Sequence, residues 1–194
     1  IRCHAEGDDT RFYAVAMQKL RDEGFEPIEC AFGQHGSVLG RYAMDHHGTE
    51  SHREGVALRA CRDHYGALRD DPRFVVTGTP DADAVLAIVA LAGLVPEAAL
   101  EPDFYALVNR HDTDPIGVDL LGSEHGVRLA WFNQRERLFQ NADGFRKAIG
   151  LMVRLLSGGV PDKELRAVSK SDRGRRRRAG EGILARLDAD GLEL

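Results

Sequence analysis

Asp45, His46 and His47 stand in a row directly after a largely apolar stretch, offering one carboxylate and two imidazoles within a few ångströms of chain. Three further clusters have the same character: His4 with Asp8 and Asp9, Asp81 with Asp83, and His111 with Asp112 and Asp114. Oxygen and imidazole donors in this mixture suit Mn²⁺, or else Mg²⁺, Fe²⁺ or Zn²⁺. Two such ions side by side activate a water and clamp both oxygens of a phosphoryl displacement, and many carboxylates are needed to neutralise them. Each cluster also has a plainer reading. Asp8, Asp9 and Asp81 stand where helices begin, so each is a natural N-cap. Asp112 and Asp114 before Pro115 read as a turn, and His4 alone reads as a core histidine. The triplet is the hardest to explain by packing or capping, its plain alternative being a solvated loop.

These clusters need elements to position them. Ile1 to His4 reads as a short strand. Helical spacing follows through Phe12, Val15, Ala16, Lys19 and Leu20 and stops at Gly24. Glu26 to Phe32 alternates as a second strand, and Val38 to Met44 reads as a third that leads into Asp45. A helix is expected over Thr49 to Tyr65, a buried strand over Arg73 to Thr77, and a buried helix over Ala84 to Leu94, capped by Asp81 or Asp83. Phe104 to Arg110 reads as a helix ending before His111. The order of strands and helices implies an α/β fold, with a mainly parallel sheet and flanking helices over 1–126. A helical C-terminal part follows over 127–194. In such sheets ligands bind beyond the carboxyl ends of the strands, where the clusters fall.

The 194 residues suffice for one large domain, and the net charge of −5 does not suggest a nucleic-acid binder. Cys3, Cys30 and Cys61 show no CxxC spacing, so a reduced, cytoplasmic setting is expected. The longest apolar run, Ala84 to Val95, is too short to span a bilayer, and no secretory leader is read. Apolar helical faces after residue 127 serve either a core or a homodimer interface. Arg173 and Arg175 to Arg178 form a basic run whose plain reading is a solvated tail. Arg53, Arg175 and Arg176 are the candidate ligands for an anionic substrate.

The triplet resembles the motif that names the DHH phosphoesterases. Its order relative to His4, Asp8 and Asp112-Thr113 is similar to that family's, over about residues 1 to 115. That resemblance implies a metal-dependent hydrolase of a phosphoester, acting on a small phosphorylated substrate or a short nucleic acid. It implies His4, Asp8, Asp45 and Asp112 as metal ligands. Asp81 and Asp83 lie where that family's order does not place them: they either start a helix close to the site or, the preferred reading, supply carboxylates to the metals in place of the family's missing Asp. His46 and His47 are then catalytic, as a further ligand or as the group that orients or protonates the leaving oxygen. Two features depart from the family. Its isolated Asp after the second strand is missing, with Glu29 and Gln34 the nearest residues, and its glycine-rich substrate domain is not recognisable. Hydrolysis of a non-phosphate substrate, or an inactive ligand-binding relative, are the alternatives these departures leave.

Overall fold

The computed structural model describes residues 2–4, 10–32, 36–47, 54–116, 118–136 and 142–168. Three short strands, β1 (Arg2–His4), β2 (Glu26–Ile28) and β3 (Phe74–Thr77), form a parallel sheet in the order β1-β3-β2. Helix α1 (Thr10–Asp22) links the first two strands, and α2 (Val56–Asp63) precedes the third. Then come α3 (Ala82–Leu91), a 3₁₀ turn at Glu97–Ala99, α4 (Pro102–Thr113), α5 (Glu124–Glu136) and α6 (Ala142–Leu156). A further helix, α7, covers 162–168. The chain is therefore mixed α/β, as expected, but helices dominate and the parallel sheet is small.

β3 is the central strand, and its residues alternate between two cores as a pleated strand requires. Phe74 and Val76 enter the larger core, and Val75 enters a smaller one with Met17, Leu20, Cys30 and Phe32. Helix α3 is buried along its whole length, which fits a helix apolar on every side. Trp131 and Phe132 of α5 and Phe145 and Met152 of α6 pack into the same core as α3. Residues on either side of position 126 thus share one hydrophobic interior. No helix among the described residues is long and apolar enough to cross a membrane.

Two sequence expectations are corrected. The strand expected over Val38–Met44 does not form. Its place is taken by a turn, with one antiparallel bridge between Ala31 and Ser37. The reason is a competing hydrogen-bond partner. The buried carboxylate of Glu26 accepts from the Arg41 N–H at 2.9 Å and from the Tyr42 N–H at 2.9 Å, so these amides join no ladder. A Cβ at Gly40 would lie 2.5 Å from Glu26 Oε2, so the approach demands glycine there. The second strand also ends early, at Ile28, because Glu29 adopts φ +52° and leaves the extended region. The helix expected over Thr49–Tyr65 is described only as α2, and residues 48–53 lie outside the described residues.

Glu26 provides a direct test of this turn. Gln at position 26 offers one acceptor oxygen where two donors point, leaving one partly buried N–H facing an amide. Glu26→Gln is expected to cost about 1–3 kcal/mol, the usual range for an unsatisfied buried donor, read as a lower urea midpoint with an unchanged slope.

Candidate metal centre

The carboxyl ends of the three strands lie side by side. His4 is in register with Thr77, and Ile28 with Val76, which sets Glu29 just beyond the sheet edge. The Glu29 turn is pinned from both sides: its N–H donates to Met44 O at 2.8 Å, and its carbonyl accepts from Thr77 Oγ1 at 2.9 Å. The first of these bonds brings the triplet segment to the same edge. Ala43 also has φ +52°, and this turn feeds Asp45, His46 and His47 across the strand ends.

Four side chains from four places in the chain then meet. The buried His46 ring has Nε2 3.0 Å from Glu29 Oε1 and 2.8 Å from Asp112 Oδ2. Asp83, in the first turn of α3, completes the group, and one ligand atom from each of Glu29, His46, Asp83 and Asp112 lies within 4.8 Å of the others. Glu29 and His46 also form a second group of this kind with His47. His47 is the open member, with its side chain 48% exposed. Its Nδ1 lies 3.0 Å from Asp45 Oδ1, which also accepts the His47 backbone N–H at 2.8 Å.

The electrostatics are those of crowded acids around one cation. Burial, together with Asp81 and Asp83, pushes the Glu29 carboxyl well above the usual carboxylate range. Burial first, then Asp112 and Asp81, pushes Asp83 up to about 7, and burial raises Asp81 as well. Contacts with Asp112 and Glu29 push His46 up to about 10. His47 is raised chiefly by Asp45. Burial works against the charge on Asp45. The His47 ring and backbone N–H, with the nearby Ser37 hydroxyl, outweigh it and lower its pKa. The buried imidazolium thus partly neutralises a surplus of carboxylates.

Three observations fit a divalent cation to these residues. The donor set is three carboxylates and one imidazole, the mixture favoured by Mn²⁺, Fe²⁺ and Zn²⁺. Asp45 Oδ2 and Asp112 Oδ2 are buried and accept no well-aligned hydrogen bond, the second being held only by its ion pair with His46 Nε2 at 2.8 Å, which is uncommon for carboxylates. Asp112 also sits in the last turn of α4, where the helix dipole disfavours negative charge, so helix stability gives no reason for it.

The individual expectations fare differently. His46, Asp83 and Asp112 are brought together with Glu29. Asp112 belongs to α4, not to the turn expected after it, because the helix runs on to Thr113. Asp45 lies beside this group and orients His47. Asp81 caps α3, accepting the Ala84 N–H at 2.8 Å, and adds negative charge beside Glu29. Asp83 also has a structural task. Its Oδ2 accepts from Val56 N at 2.7 Å and its Oδ1 from Ala57 N at 3.1 Å, so it caps α2 from another helix. The His4 backbone is at the same sheet edge, in β1. Asp8, Arg53, Arg175 and Arg176 lie outside the described residues.

Glu29 is named from the sequence only as one of the two residues nearest the missing second-strand Asp, and it is not among the expected ligands. The usable signal was a lone carboxylate immediately after the buried Pro27-Ile28 pair. Comparison of the chain with protein-family models, with curated proteins and with solved structures finds no match in any of the three.

Proposed function

We propose that this protein is a divalent-metal-dependent hydrolase of a phosphoester, with a DHH-like arrangement of strand ends and acidic ligands. The observation that supports it most is the convergence of Glu29, His46, Asp83 and Asp112 at the carboxyl ends of a parallel sheet. Glu29, His46, Asp83 and Asp112 would hold the ion, with His47 at its exposed side. A bound dication supplies Lewis-acid polarisation of a phosphoryl oxygen and a water acidic enough to react near neutral pH.

The chain's own residues do the rest. The contact with Asp45 directs His47 Nδ1 inward, leaving Nε2 as the nitrogen that meets substrate. Its raised pKa favours the imidazolium, which carries a proton on Nε2. His47 therefore holds a proton where a leaving oxygen needs it, and Asp45 keeps the ring oriented for the transfer. The substrate class is a small phosphorylated compound or a short oligonucleotide.

Calorimetric titration of chelator-treated protein with Mn²⁺, followed by hydrolysis of bis(p-nitrophenyl) phosphate, tests this reading. Saturable Mn²⁺ binding and metal-dependent turnover are expected. His47→Ala should leave Mn²⁺ affinity within about tenfold while lowering kcat by about 10²–10⁴, the usual share of a positioned acid. Absence of saturable binding, or turnover indifferent to chelation and to Asp45→Ala, overturns it. Metal-dependent cleavage of carboxyl esters but not phosphoesters would keep the ion and change the substrate.

A further inference from the structure

We infer that Arg59 is a positioning residue for the metal centre, holding the Asp45-His46-His47 segment in ligating geometry through its backbone. This inference rests on the metal reading above and extends it to a residue outside the ligand set. Arg59 lies on α2, away from the triplet in sequence, yet its guanidinium reaches back to it. Nη1 donates to Ala43 O at 2.8 Å, and Nη2 donates to Asp45 O at 2.7 Å. The two carbonyls belong to residues flanking Met44, so one rigid fork spans the turn that aims the triplet.

That turn needs an outside hold. Ala43 sits at φ +52°, a conformation that costs a non-glycine residue about 1–2 kcal/mol. Asp45 N–H bonds back to Ala43 O at 2.9 Å, the same oxygen that Arg59 grips. A planar fork on two carbonyls fixes both the position and the angle of the segment, which a single ammonium cannot do. Both Nη atoms are spent on backbone, so the Arg59 head is a brace for this loop.

The second link runs through the other end of the same helix. Val56 and Ala57, the first residues of α2, donate their N–H groups to Asp83. A Cβ at Gly55 would stand 2.6 Å from Asp83 Oδ1, so helix and carboxylate meet with no room to spare. Helix α2 is thus tied to Asp83 at its start and to the triplet backbone near its middle. It sets the distance between His46 and Asp83, two of the four ligands, although it contributes no ligand itself. Residues that orient ligands in this way typically carry 10–100-fold of metal affinity.

The test is Mn²⁺ titration of the full chain as wild type, Arg59→Lys, Arg59→Gln and Arg62→Ala, each with its melting temperature measured metal-free. Arg62 shares α2 and its ion pairs with Glu54 and Asp63 are exposed, so it controls for loss of charge on that helix. Arg59→Lys keeps the charge and can reach one carbonyl only. It is expected to melt within a few degrees of wild type yet bind Mn²⁺ at least about tenfold more weakly. Arg59→Gln should bind more weakly still, and Arg62→Ala should match wild type. Unchanged Mn²⁺ affinity in both Arg59 variants overturns the inference while leaving the metal centre standing, as does affinity lost only in proportion to melting temperature. Failure of wild type to bind Mn²⁺ removes the metal reading and this inference together.

Discussion

Glu29→Gln is expected to abolish the response to Mn²⁺ and, in the absence of metal, to stabilise the protein more at pH 8 than at pH 5. Glu29 belongs to both groups of candidate ligands found among the described residues. An amide oxygen is a poor substitute for a carboxylate on a dication, and the expected loss of affinity is about 100-fold or more, the upper end for ligand-sphere changes. The effect on stability follows from the surrounding charge. Asp81 and Asp83 act on Glu29 through a buried, poorly screened environment. Two like charges about 4 Å apart repel by about 4 kcal/mol at an effective dielectric constant of 20. Attraction to His46 and partial protonation offset part of this. As pH falls Glu29 takes up its proton sooner than a free carboxyl and the amide becomes nearly isosteric with it, so the variant should approach wild type. At pH 8 the variant avoids the repulsion and should gain about 1–2 kcal/mol, or roughly 2–8 °C in a domain of this size. Equal melting temperatures at both pH values, with Mn²⁺ binding retained, would sink the assignment of Glu29 to the centre.

This residue also marks where the sequence stops being legible. The triplet, Asp83 and Asp112 were visible because their types are unusual and close in sequence. Their convergence depends on parallel register and on two left-handed turns, at Glu29 and Ala43, for which the residue types carry no signal. A glycine or asparagine at either place would have announced a turn, whereas Glu and Ala do not. For the same reason β2 was read too long and Val38–Met44 was read as a strand. Periodicity reports apolar alternation, but the Glu26 carboxylate captured the amides that a strand would have needed. Of the elements that were read well, β3 and α3 have patterns set by burial, with Asp81 capping as expected, whereas α1 forms where expected but buries Met17 and Leu20 and leaves Val15 exposed. Arg59 lies beyond such reading altogether, since a fork that grips backbone carbonyls leaves no pattern in the residues it grips.

Asp83 and Asp112 show how structural and chemical roles divide at one site. Asp83 caps α2, so a carboxylate there has a use even without metal. Asp112 stands at the unfavourable end of α4 and caps nothing; its carboxylate pairs with the buried His46 ring at 2.8 Å, so its use lies in the cluster rather than in the helix. Removing Asp83 therefore damages fold and site together, whereas removing Asp112 isolates the site.

The same charge balance predicts that metal-free protein loses stability as pH rises, the reverse of common acid denaturation. Asp83, raised from 3.8 to about 7, binds its proton more tightly folded than unfolded. Its contribution is full below about pH 4 and is lost as pH rises through about 7. Glu29 and Asp81 are raised too and act in the same direction. His46, raised from 6.5 to about 10, contributes fully below its unfolded value, and that contribution is lost only as pH climbs toward 10. The carboxyls and the imidazole share their protons, and each makes the folded cluster retain them. Asp45, lowered, opposes them and loses its contribution only as pH falls into the acid range. The melting temperature in a chelator is therefore expected to fall by roughly 4–8 °C between pH 5 and 8.5, equivalent to about 2 kcal/mol. Saturating Mn²⁺ should invert the slope, because an ion displaces the protons and binds more tightly as they leave. At a hundred times its dissociation constant it adds about 2.7 kcal/mol. A chelated protein whose melting temperature is flat or rising over this interval would show that Glu29, Asp81, Asp83 and His46 do not form one proton-holding cluster.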